Sequence, residues 1–303
     1  MTSEIVAYKG WKRNLHLANG AIELVATLEV GPRIIHLAAP GGKNVFKNYP
    51  TMLGKAGEKA WQIRGGHRLW FAPEDPVATY HPDNRPVEVE RLPRGGVRLR
   101  PAPETPNGIQ KEIDIYLDAR RPRVRLVHRL KNVGSKHRIL APWALSVMAP
   151  GGTAIVGLPP RGRHPKDLLP NQSLVLWPYT NLGDPRFTLG ERVILLRQKP
   201  RTKPNKLGLL NPEGWAAYSV HGCLFVKRFA CESWDEYPDR GCNTELFTNA
   251  DLLEVESLGP MVDLKPGRSV EHVDDWCLVA GVPVIRTEAD VDRHVRPRLK
   301  KIL

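Results

Sequence analysis

A chain of 303 residues carrying a formal net charge of +13, with 28 prolines and 26 glycines scattered along its length, has room for a sizeable core and is punctuated too often for long helices. No GxSxG, HExxH, P-loop or GxGxxG pattern occurs, which removes support for serine hydrolysis, zincin chemistry, nucleotide hydrolysis and dinucleotide use. The basic residues are dispersed, as in RRPRVRLVHRLK (120–131), without the interleaved aromatics of a nucleic-acid module, so no nucleic-acid partner is expected.

In chain order, MTSEIVAYKGWKRN lacks a basic-then-apolar leader, and no run reaches the ~18 apolar residues of a membrane span. A cytoplasmic protein with no membrane partner is expected. Period-two alternation then recurs at 21–30, 31–40, 86–92, 96–101, 110–118, 123–132 and 192–198, and again at 223–230, 243–249, 252–259 and 269–281. Eleven such segments, bounded by Gly, Pro, Asn and Asp, predict an all-β fold: a large antiparallel two-layer sandwich with a curved face for a small ligand. Asn107-Gly108 predicts a type I′ hairpin. Residues 1–285 are expected to form one β domain. Residues 286–303 are expected to form a helical tail capped by Thr287 and interrupted at Pro297.

Several charged and aromatic residues resist a plain core reading. RGGHRLWFAPE (64–74) gathers Arg64, His67, Arg68, Trp70 and Glu74 around a Gly-Gly pair, a combination expensive to bury unless paired or facing a wet cleft. It is expected as a site loop or a surface turn. His81 follows in the turn-rich TYHPDNRP, and Lys111 opens the strand after the Asn-Gly turn. Trp143 sits in LAPWALSV, where core packing and a stacking platform both remain open. Glu245 shares a strand face with Asn243. Glu254 and Glu256 share a face in LLEVESLG, where two like charges call for answering cations. Asn243, Glu245, Asp239 and Lys227 are too dispersed for a calcium set. Cys223, Cys231, Cys242 and Cys277 show neither CxxC pairs nor zinc spacing and are expected as free thiols. Neither a metal nor a cofactor is expected.

The order GPRIIHL, IRGGHRLWFAPE, HRLKNVGSKHRILAPWALSVMAPGG and DLLEVESLGPMVDLKPGRSVEHVDDWCL resembles the galactose-mutarotase-like supersandwich superfamily over roughly residues 5–280. It looks closest to an uncharacterised bacterial branch. IRGGHRLWF is similar to the segment of hexose-6-phosphate 1-epimerases whose arginine lies at the sugar site, which implies that role for Arg64. LEVESLGP is similar to the strand bearing the catalytic glutamate of aldose 1-epimerases, which implies Glu256, with Glu254 beside it. Where those enzymes carry a catalytic histidine, this chain has APWALSVM, with Trp143 near that position.

The resemblance implies a protein that binds a small-molecule carbohydrate as a monomer or homodimer and interconverts anomers. Glu256 would be the base and His67, or else His81, the acid, because ring opening needs a proton taken from the anomeric hydroxyl and one given to the ring oxygen. Arg64 and Arg68 would hold hydroxyl or anionic groups and Trp70 would stack on the sugar. Trp143 leaves open a non-catalytic sugar-binding module, and the positive charge leaves open a lyase on an acidic saccharide.

Overall fold

The computed structural model describes residues 2–200, 203–231 and 236–302. Its architecture is nearly all β, in two antiparallel sheets. One sheet runs Thr2–Tyr8, Trp11–Ala18, Glu23–Thr27, Arg33–Ala38, Gly66–Ala72, Arg138–Met148, Leu253–Leu258, Thr244–Thr248, Asn205–Leu209 and Leu174–Leu176, with Val262–Leu264 added beside Arg138–Met148. The other runs Phe187–Leu189, Val193–Arg197, Thr153–Gly157, Trp215–Val220, Cys223–Arg228, Ser269–Ala280, Arg123–Asn132, Ile109–Leu117, Val97–Pro101 and Val87–Arg91.

All eleven expected strands are present, most of them trimmed at one or both ends, while Arg123–Asn132 keeps its expected bounds and Ile109–Leu117 begins one residue earlier than expected. The alternating side chains meet between the sheets in one cluster that includes Leu69, Phe71 and Val255 from the first sheet and Ile113, Leu126, Phe225 and Trp276 from the second. Face-to-face burial of two alternating surfaces is what drives this layering. On the outward face of the second sheet, Arg98, Arg100 and Arg129 pair with Glu112 and Asp114, so part of the basic charge is answered locally.

Three local expectations need correcting. Gly66–Ala72 is a fully buried central strand, hydrogen-bonded to Arg33–Ala38 and Arg138–Met148, and neither a loop nor a surface turn. Gly65 and Gly66 have φ of +91° and +73°, and a Cβ on either would strike the carbonyl oxygens of Lys47 or Ile34. The glycines therefore admit the chain's own backbone. At the turn before Ile109–Leu117, only Gly108 of the Asn107-Gly108 pair has positive φ, with Asn107 N and Gly108 N both donating to Glu104 O, so the turn is not type I′.

At the C-terminus Thr287 caps the helix in a reciprocal capping box with Asp290. The helix nevertheless continues past Pro297 to Ile302, following a π-turn over Val291–Val295 that widens the backbone before the proline ring. Val291, Val295 and Leu299 pack on Ile155, Leu195 and Val226, on the outer face of the second sheet. Cys223, Cys242 and Cys277 form no disulfide. Among the described residues, no helix is long and apolar enough to cross a membrane.

Candidate functional site

The period-two rule decides which side chains share the outer face of the first sheet. Leu145 is opposite both Arg68 and Glu256, Trp143 is opposite Trp70 and Leu258, and Glu256 is opposite Glu245 on the next strand. Phe247 pairs with both Glu254 and Lys206. The ladder thus aligns Arg68, Trp70, Trp143, Glu254, Glu256, Glu245 and Lys206 on one face across five adjacent strands.

On this face lies a cleft of about 260 Å³, lined by Arg68, Trp70, Glu74, Trp143, Glu254 and Glu256, together with Trp61, Tyr80, Tyr179 and Lys206. Its size falls just under that of typical ligand clefts, ~300–1,000 Å³. Trp61, Trp70 and Tyr80 pack against one another with ring centroids 4.8–5.4 Å apart, and Trp143 adds its edge to Trp70 at 5.5 Å. These rings present an aromatic wall beside the carboxylates.

Each acid has a donor. Glu254 Oε1 accepts from Arg68 Nη1 at 2.9 Å, and the Arg68 guanidinium lies over the Trp70 ring at 4.3 Å. Glu256 Oε2 accepts from the Trp143 indole Nε1 at 2.8 Å. Lys206 Nζ lies 2.6 Å from Glu245 Oε2 and 3.8 Å from Glu256 Oε2, and over the rings of Trp177 and Trp143 at 4.5 and 4.8 Å. One ammonium thus serves two buried carboxyls.

Burial pushes the Glu256 carboxyl above its ordinary range; Lys206 pulls it down and Glu254 adds to the rise. Glu245, wholly enclosed, is pushed up further by burial, against the pull of Lys206. Burial disfavours the Lys206 charge, but Glu256 and Glu245 outweigh it and hold the ammonium protonated. Lys206 thus shifts both carboxyls down, and both carboxyls shift Lys206 up.

Five expected site residues lie elsewhere. Arg64 is buried at a φ of +46°, paired with Glu58 and 3.6 Å from Asp83, and does not line the cleft. It joins Arg33, which donates to Ile63 O, Gly65 O and Asp83, in holding two loops together. His67 precedes Arg68 and therefore points to the opposite face, into the space between the sheets, where it meets His128 and Trp276. That removes its expected role as the acid. His81 and Lys111 border a separate surface hollow, and Lys111 is tied to Glu104 at 2.5 Å. Glu245 lies under Lys206 rather than in the cleft wall, and Lys227 faces Asp274 between the sheets, apart from Glu245.

Lys206, Trp61, Tyr80 and Tyr179 were not anticipated. For Lys206 a signal existed: the alternation in KLGLL (206–210) marks a strand with Lys206 and Gly208 on one face. The aromatic three arrive on connecting segments that carry no periodicity.

No protein-family description and no curated protein matches this chain. Solved structures do match. The chain is similar to the Slr1438 protein of Synechocystis sp. PCC 6803 (12% identity, 91% of this chain and 99% of that one, TM-score 0.59). It is similar to a galactose mutarotase-like protein of Lactobacillus casei (13%, 88% and 99%, TM-score 0.57). A candidate aldose 1-epimerase of Klebsiella pneumoniae also resembles it (12%, 99% and 86%, TM-score 0.56). The chain has the galactose-mutarotase-like supersandwich fold.

Proposed function

We propose that this chain, as a galactose-mutarotase-like supersandwich, binds a monosaccharide or sugar derivative in the cleft and interconverts its anomers. A fold of this kind hosts more than one function, so the proposal rests on the site. The observation that carries it is the Glu256 carboxyl: buried, raised in pKa, hydrogen-bonded to Trp143 and set beside a wall of aromatic rings. Apolar sugar faces pack on such rings while hydroxyls meet charged groups.

In this scheme Glu256 takes the proton of the anomeric hydroxyl, the bond from the anomeric carbon to the ring oxygen breaks, and the open-chain aldehyde forms. The ring oxygen receives a proton from a phenol. Tyr179 fits that role, because its hydroxyl makes no hydrogen bond to a described residue, whereas Tyr80 donates to Glu74 at 2.5 Å. Rotation about the anomeric carbon and reclosure invert the centre. Lys206 holds Glu256 in place, and Arg68 with Glu254 supplies contacts to the sugar hydroxyls.

A second reading, a sugar-binding module without catalysis, is favoured by one observation: no imidazole is among the described residues lining the cleft. Saturation-transfer NMR against a monosaccharide panel tests the binding shared by both readings. Wild type is expected to transfer saturation to at least one sugar and Arg68→Gln to lose most of the effect. No transfer to any sugar overturns both.

A further inference from the structure

The space between the sheets holds a second polar cluster, separate from the cleft. His67 reaches in from Gly66–Ala72, His128 from Arg123–Asn132 and Asp274 from Ser269–Ala280. All three are fully buried, and one ligand atom from each lies within 4.8 Å of the other two. The Nε2 atoms of the two histidines face each other at 2.7 Å. Asp274 Oδ2 is enclosed with them, with Lys227 Nζ 3.3 Å away.

Their outer contacts fix their orientation. His128 Nδ1 is 3.1 Å from the His272 carbonyl oxygen. A carbonyl only accepts, so Nδ1 carries the proton and Nε2 offers a lone pair. His67 Nδ1 lies 2.9 Å from Ser146 Oγ, which can accept from it and leave a lone pair on Nε2 of His67 as well. Asp274 Oδ1 accepts from Ser257 Oγ at 2.8 Å, leaving Oδ2 turned inward. Partners of this kind orient metal ligands in proteins. Burial also depresses both imidazoles, His128 to about 4, so both are neutral near pH 7.

We infer that His67, His128 and Asp274 form a buried three-ligand binding site for a divalent transition-metal ion of the zinc or cobalt class, joining the two sheets. Two imidazoles and one carboxylate suit such ions better than magnesium or calcium. Nitrogen-to-metal distances of about 2.0–2.1 Å require the two Nε2 atoms to separate slightly. Without the ion, His67 Nε2 donates to His128 Nε2 and Ser146 donates to His67 Nδ1, so binding exchanges one His67 tautomer for the other. Lys227 Nζ, 3.3 Å from Asp274 Oδ2 and donating to Ala144 O at 2.7 Å, balances the carboxylate when the metal is absent and competes with it.

The test uses full-length, tag-free protein refolded with Co2+ or with Zn2+ and then dialysed. Wild type is expected to retain one ion per chain, and the cobalt form to show visible ligand-field absorption from nitrogen and oxygen ligands. His128→Gln and Asp274→Asn should lose the ion. Ser146→Ala should weaken binding by about 10–100-fold, and Lys227→Met should tighten it. His16 lies at the surface beside Glu4 and Glu23, so His16→Gln controls for adventitious binding and should change nothing.

Failure of wild type to retain an ion, or equal retention by His128→Gln, overturns the inference. If His128→Gln does not fold, melting of wild type refolded with and without zinc decides: a higher, chelator-reversible melting temperature supports the site, and identical curves overturn it.

Discussion

The indole of Trp143 donates to Glu256 Oε2 at 2.8 Å across adjacent strands of the first sheet. The residue standing near the expected position of an acid thus serves as the hydrogen-bond partner of the proposed base. Trp143→Phe keeps a ring and deletes the donor, leaving a buried carboxylate oxygen without its hydrogen bond at a cost of ~1–3 kcal/mol. Because that hydrogen bond lowers the Glu256 pKa, its loss should raise it further. The acid limb of the anomer-exchange pH profile should move to higher pH, with the alkaline side unchanged. An unmoved limb would detach Trp143 from the chemistry.

The raised Glu256 pKa also sets a stability trend. A group whose folded pKa lies above its unfolded value favours the fold at low pH, and that contribution is lost as pH rises through the folded pKa. Glu256→Gln removes this loss and leaves Lys206 paired with Glu245 alone. Urea titrations should find the variant as stable as wild type or more so at pH 8, with the difference shrinking towards pH 4. Substantial destabilisation at pH 8 would contradict the charge assignment.

Lys206 supplies the ammonium between Glu245 and Glu256. Lys206→Met strands two buried carboxyls and should cost ~3–5 kcal/mol, the usual result of breaking a buried pair from one side. Adding Glu245→Gln to Lys206→Met should recover much of that loss. Denaturant unfolding of the two singles and the double variant gives the coupling directly.

Arg64 and Arg68 differ in role despite their proximity. Arg64→Gln should lower stability by ~1–3 kcal/mol through lost contacts to the Glu58 and Asp83 loops, with sugar affinity changing less than about twofold. Arg68→Gln should weaken sugar binding at least ~10-fold, a loss of ~1.4 kcal/mol. Thermal melts paired with titration calorimetry separate the two, and equal effects on affinity would refute the distinction.

Much of the fold was legible because alternation reports burial on one face, and eleven strands announced themselves that way. Gly66–Ala72 did not, because it is enclosed on both faces and its Arg68 and His67 find partners on opposite sides, Glu254 in the cleft and His128 between the sheets. The same period that correctly grouped Glu254 with Glu256 puts His67 and Arg68 on opposite faces; once the segment is known to be a strand, His67 leaves the cleft. Lys206 was hidden by the basic run before it, although a buried pair of acids requires a cation that no neighbour in sequence supplies. Trp61, Tyr80 and Tyr179 come from irregular segments whose positions depend on contacts distant in the chain, such as the Arg64 and Arg33 ties to Asp83.

The most direct test of the proposed chemistry is two-dimensional exchange NMR of a bound sugar's anomeric signals, comparing wild type with Glu256→Gln at equal saturation. The account predicts enzyme-dependent exchange in wild type and a decrease of ~10²–10⁴-fold in the variant, with binding retained. Equal exchange rates in the two proteins, with both binding the sugar, would contradict it.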